Sequence, residues 1–234
     1  MVDKFENETF LFISPYELSI ALFDKSKNTN LYKETLKFEN KAREINFNIL
    51  SDFIDNNVFK IEKLSGRFIQ NIFLIIENQK LCDFKLGIKR KNYEDKITQK
   101  NLINILTEAK DIFKENNQDY KIMHMVINNY IINGTYFNKL PKNIEGNQLG
   151  LVIFFLTIPA DMTLEIDQIL KKFQIKVARY ISSEFIKNTF PEKNIELSEG
   201  ASKILAGHNE NEINLIQKST KRTGFFEKFF QLFS

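Results

Sequence analysis

Cysteine occurs once, at Cys82, so the chain has neither a disulfide framework nor a cluster of thiolate metal ligands. Histidine occurs twice, at His124 and His208, and neither has the spaced His, Asp or Glu neighbours of a metal site. His124 alternates with Ile122 and Val126 along an apolar stretch and reads as a packed strand residue. His208 lies beside Asn and Glu and reads as solvated. Glycine is scarce, with eight residues in the whole chain. Phosphate-binding loops need clustered glycines so that the backbone can approach the anion, and the sequence has no GxGxxG, no P-loop and no Asp-x-Gly. No Ser or Cys sits in a nucleophile elbow or beside a basic partner. No apolar run approaches the ~20 residues of a spanning helix. The opening Met1-Val2-Asp3-Lys4-Phe5-Glu6 lacks the basic-then-apolar order of a secretory signal. The expectation is a cytoplasmic protein that is not an enzyme and uses neither metal nor cofactor.

What is present is enough for a sizeable core: 43% of residues are hydrophobic and 27% charged, as in globular proteins. The net charge of +3 is carried at the C-terminus, where Lys218, Lys221, Arg222 and Lys228 face only Glu227. Residues 1–217 are therefore formally neutral. A nucleic-acid binder would carry a basic stripe on its folded body, so nucleic acid is not an expected partner.

Along the chain, Thr9–Ile13, Leu18–Phe23 and Leu31–Phe38 read as strands, separated by Pro15 and by the polar turn Asp24–Asn30. A helix is expected from Ser51 to about Leu64, stopped by Gly66. Strands Asn71–Ile76 and Leu81–Lys89 follow. Thr98 is the expected N-cap of a long helix with Leu102, Ile105, Leu106, Ala109, Ile112 and Phe113 inside. Two long strands, Lys121–Ile132 and Leu149–Thr157, are joined by a loop containing Gly134, Pro141 and Gly146. Pro159 opens a helix, Ile175–Tyr180 is a short strand, and helices are expected around Glu184–Phe190 and Leu197–Ala206. This order predicts an α+β body of mixed sheets covered by helices.

The last ten residues stand apart. On a helix of about 3.6 residues per turn, Phe225, Phe226, Phe229, Phe230, Leu232 and Phe233 share one half of the circumference. Glu227, Lys228, Gln231 and Ser234 take the other half. With Lys218, Lys221 and Arg222 just before it, this is the make-up of a helix lying in a membrane interface. A terminal helix packed on the protein's own core is the alternative. The polar linker ahead of the tail, its five Phe in nine residues and its terminal position favour the membrane. Lys218, Lys221, Arg222, Phe225, Phe226, Lys228, Phe229, Phe230, Leu232 and Phe233 are the expected membrane-binding residues, with anionic lipid as their partner.

From about Val58 to Phe185 the sequence resembles the bacterial cell-division protein FtsA, an actin-like membrane tether. The resemblance runs through Lys60–Ile76, Lys96–Ala109, the strand Asp119–Ile132 with Asn133-Gly134 after it, and Pro141–Leu149. In that family the region is the 1C subdomain, a small α+β unit of the SHS2 fold inserted into the actin-like core. The family also ends in a linker and an amphipathic helix. The resemblance implies a partial actin-like 1A segment over 1–69 and an SHS2-like domain over 70–174. It further implies a return to the 1A-like part over 175–207, a linker over 208–224 and a membrane helix over 225–234.

The departures are specific. Where the family begins its first phosphate loop with Asp-Ile-Gly-Thr, this chain has Phe12-Ile13-Ser14-Pro15-Tyr16-Glu17. Too few residues follow Phe185 for the family's second phosphate loop and its 2A and 2B subdomains. What the resemblance implies is a nucleotide-independent, membrane-associated adaptor of cell division. Its expected partners are other division proteins, FtsZ among them although 2B is its docking place in the family, and further copies of itself. The alternative is a soluble interaction module related to the pilus-assembly protein PilM, with the terminal helix docked on protein. A residual ATPase with unfamiliar loops is a third reading.

Overall fold

A computed structural model describes residues 7–38, 45–93, 96–191 and 195–213. The chain is α+β, and its described residues fall into two units. The first draws on Met1–Leu81 and Asp161–His208, the second on Cys82–Ala160 and Asn209–Ser234.

The first unit is built on a five-stranded mixed sheet. β1 (Asn7–Ile13), β2 (Glu17–Asp24) and β3 (Thr29–Lys37) form an antiparallel meander, while β4 (Asn71–Ile76) and β9 (Lys176–Ser182) add in parallel beyond β1. β1 and β2 read as near-continuous apolar runs because both of their faces are buried, whereas edge strand β3 alternates toward solvent. Helix α1 (Phe47–Ser65) packs on β2 and β3. It begins four residues before the expected Ser51 because the Asn46 side chain accepts hydrogen bonds from the amides of Asn48 and Ile49. It ends as expected at Gly66, whose φ of 68° is the left-handed cap glycine tolerates best. Helices α3 (Ala160–Lys172), α4 (Ser183–Thr189) and α5 (Leu197–Leu205) complete the elements, and α5 packs on β1 and β2.

The second unit is inserted in the chain between β4 and α3 through Cys82–Ala160 and is joined again by residues 209–213. Its antiparallel sheet has the order β5-β8-β6-β7, from β5 (Cys82–Lys91), β6 (Tyr120–Ile132), β7 (Thr135–Phe137) and β8 (Gln148–Pro159). Helix α2 (Gln99–Asn116) starts at the expected Thr98, whose hydroxyl accepts from the Asn101 amide while Asn101 Oδ1 accepts from the Thr98 amide. Leu102, Ile105, Leu106, Ala109 and Phe113 lie against Ile88, Met125, Ile127, Leu151, Ile153 and Phe155 of the sheet. The expected loop between β6 and β8 contains a strand, β7. Asn133 and Gly134 both have positive φ, 51° and 87°, forming the tight hairpin turn that Asn-Gly favours. Residues 70–174, expected to form one domain, are divided, with β4 and α3 in the first unit.

Phe155 is fully buried and stacks on Phe113 with ring centroids 4.7 Å apart. Phe155→Ala is expected to lower stability by about 3–5 kcal/mol, as truncation of a buried aromatic does. Urea denaturation checks this, and a loss below about 1 kcal/mol would show that α2 is not held by this core.

Candidate interaction surface

Within the second unit, α2 covers one face of the sheet. The other face carries cross-strand rows from β5 through β8 to β6: Lys85, Phe154 and Val126 in one row, Asp83, Leu156 and His124 in the next. Phe154, Leu156 and Val126 are half-buried, and Lys85 Nζ sits 5.5 Å from the Phe154 ring centroid.

The two edges of this sheet differ. β7 pairs with β6 only at Tyr130–Ile132. Farther back along the same strand, residues 211–213 take over. The Ile127 amide donates to Asn211 O at 2.9 Å, and the Ile213 amide donates to Met125 O at 2.8 Å. Ile213 turns into the core beneath α2 and is fully buried. Its neighbour Glu212 points the opposite way, as alternation requires, and its carboxylate meets His124 Nδ1 at 2.6 Å. Both groups are buried, His124 completely. Asn211 Nδ2 donates to Asn138 O at 3.1 Å, and Lys139 pairs with Glu210 at 3.0 Å on the surface. The segment assigned from sequence to a linker starting at 208 is thus, over 211–213, bridged to β6.

His124 is a packed strand residue, as its alternation suggests, but its contact with Glu212 has no sequence signal local to His124. The pair is separated by 88 residues. The one available signal was the alternation of Asn211, Glu212 and Ile213 within a polar stretch. His208, read as solvated, is exposed but lies on Phe190 with ring centroids 4.8 Å apart. The expected membrane-binding residues Lys218, Lys221, Arg222, Phe225, Phe226, Lys228, Phe229, Phe230, Leu232 and Phe233 all lie outside the described residues.

At the position compared with a phosphate loop, the β1–β2 turn closes on itself. Ser14 Oγ accepts from the Glu17 amide at 2.9 Å and the Tyr16 amide at 3.4 Å, and donates to Glu17 O at 3.0 Å. Among the described residues no three His, Cys, Asp or Glu side chains are grouped as metal ligands. No described helix is long and apolar enough to cross a membrane. Burial, reinforced by the hydrogen bond to Asp167 at 2.8 Å, pushes the Tyr180 phenol far up. Burial, with Glu210 adding to it, pushes the Tyr130 phenol up to about 12. These are structural phenols holding their protons.

No protein-family model matches the chain, and no curated protein does. Solved structures are similar at low identity. A Bacteroides thetaiotaomicron protein of actin-like ATPase fold and unknown function is 12% identical, with a TM-score of 0.34 over 83% of this chain and 61% of that one. The cytoplasmic domain of EpsL, an inner-membrane component of the Vibrio cholerae type II secretion system, is 9% identical, with a TM-score of 0.35 over 76% and 57%. The PilM-PilN type IV pilus biogenesis complex gives 8% identity and a TM-score of 0.42 over 80% and 50%. The chain spans between 50% and 61% of the length of these three.

Glu212→Ala removes the carboxylate from a buried ring, and should speed amide exchange at Ile127 and Ile213 about tenfold, equivalent to ~1.4 kcal/mol of local opening. Glu212→Gln, which keeps a hydrogen-bonding group there, should do less; equal exchange in all three chains would exclude a holding role for the pair. Separately, an unfolded Tyr ionises near pH 10 while folded Tyr130 keeps its proton to about 12. The stability this provides is fully present below pH 10 and is lost as pH rises to 12. Tyr130→Phe should flatten that fall in denaturation midpoints, and an unchanged slope would contradict the assignment.

Proposed function

We propose that the chain is a nucleotide-independent adaptor of the actin-like, FtsA type, in which the inserted unit binds other proteins and Phe225–Phe233 attaches the molecule to the cytoplasmic face of a membrane. The observation that carries this is the seating of residues 211–213 on β6, which ties the segment leading to the tail into the body of the proposed protein-binding unit. A ten-residue helix is marginal in water, so the tail is expected to fold on the bilayer. Each Phe that becomes fully buried contributes about 1.5–3 kcal/mol, and each cation near an anionic leaflet about 1 kcal/mol. Cell division is the process that the FtsA resemblance suggests. The proposal includes no catalysis: the Tyr16 and Glu17 amides that could face a phosphate donate instead to Ser14. ATP binding in the micromolar range, measured by calorimetry, would contradict that part.

A PilM-like reading, in which the tail docks on protein, is the second one, since the chain entering the tail is already seated on protein at residues 211–213. Vesicle flotation separates the two. The full chain should float with anionic vesicles and less well with neutral ones, while a chain ending at Gln217 should not float. Phe226→Asp combined with Phe229→Asp should release the protein. If the full chain stays at the bottom of the gradient, and cleavage around Lys221 and Arg222 is slow without lipid, the docked reading holds instead.

A further inference from the structure

Strand β5 pairs with β8 over ten residues, Cys82 with Thr157 through Lys91 with Gln148, without one register shift. On its other side no described strand pairs with it. A regular strand of this length presents a row of backbone donors and acceptors to another chain, although here Lys89 O already accepts from the Arg90 guanidinium at 3.2 Å. The side chains around that row are sorted by charge. Lys85, Lys89 and Lys91 are exposed on the face away from α2, with Asp83 at one end. Among the described residues Lys89 and Lys91 have no ion-pair partner, whereas Arg90, on the α2 side, is taken by Glu108. On the α2 side Phe84 and Leu86 are half-buried against the same core as Ile112, and α2 itself carries a shallow groove lined by Asn104, Thr107, Glu108, Asp111, Ile112 and Glu115.

From this arrangement we infer that the β5 edge is a docking site for an extended acidic peptide of a partner protein, added as a fifth strand. The inference rests on reading the inserted unit as the protein-binding unit. Acidic side chains at alternate positions of the incoming strand stand over Lys85, Lys89 and Lys91, since cross-strand neighbours lie about 4.5–5.5 Å apart. The intervening positions, apolar, extend the row of Phe84 and Leu86 toward Ile112. A second copy is a poor occupant. Both strands would carry the same net sign, and antiparallel pairing centred on Gly87 sets Lys85 against Lys89. The chain's own C-terminal segment is also basic, with Lys218, Lys221 and Arg222.

The probe is a synthetic peptide, Glu-Ile-Glu-Val-Glu-Ile-Glu with blocked ends, beside its Lys-for-Glu counterpart, titrated into the full chain without lipid. The Glu peptide should bind at least tenfold more tightly and slow amide exchange within Asp83–Lys91 at saturation. Lys85→Glu combined with Lys89→Glu, both surface changes, should reverse the preference. The inference is overturned if neither peptide protects β5, if the double variant keeps the original preference, or if β5 amides are protected on both sides in the chain alone by self-association or its own terminus. Flotation reads only the tail, so its failure leaves this result standing, and the reverse holds.

Discussion

Backbone hydrogen bonds at a sheet edge have to go somewhere, and strand β6 makes that demand acute. It runs for 13 residues, with β8 on one side, but on the other side β7 reaches only its last three. Its middle is buried: Met125 and Ile127 face α2, and His124 faces the opposite side at zero exposure. Unpaired backbone amides in such a place would cost about as much as a lost hydrogen bond each. Residues 211–213 answer the demand, with Ile213 extending the core on one side and Glu212 meeting His124 on the other. The last described stretch of chain is thereby fixed to the inserted unit. The opposite edge, β5, is left with lysines along it, which discourages pairing with another copy.

The same alternation explains how a polar-looking segment can belong to a fold. Asn211, Glu212 and Ile213 contain one apolar residue, and composition alone labels them linker. Once paired with β6, the single apolar side chain is all that is needed inside, and the carboxylate reaches a partner that no local pattern could announce. Local signals succeeded where the cause of the structure is local. Gly66 and Thr98 mark helix ends through hydrogen bonds made within a few residues. Strands β1, β2, β4, β6 and β8 are visible as apolar runs because the sheets bury them. The start of α1 was missed because Asn46, a capping side chain, stands apart from the apolar periodicity. Strand β7 was missed because three mostly exposed residues carry no hydrophobic pattern, although Asn133-Gly134 marked the hairpin.

Unit boundaries were the least legible part. Strand β4 and helix α3 read from sequence as neighbours of the inserted strands, since they adjoin them along the chain. Their placement is decided by pairing that sequence distance hides: β4 lies between β1 and β9, with Phe10 opposite Phe73 and Leu74 opposite Tyr180. Parallel pairs need long crossovers, and the Cys82–Ala160 part of the second unit lies within the crossover from β4 to β9. An insertion of that size is tolerated because loop-closure entropy grows only slowly with length.

The charge distribution connects these points to a functional reading. A body that is formally neutral overall still separates its charge locally, with lysines on one side of β5 and the acids Glu108, Asp111 and Glu115 on the α2 side. Surface charges of this kind add little to stability, of the order of 0–1 kcal/mol per pair. Their separation instead affects which partner can approach, because like charges facing across an added strand are unfavourable and complementary ones steer encounter. At the β1–β2 turn the Tyr16 and Glu17 amides are likewise already committed, donating to the neighbouring Ser14 hydroxyl.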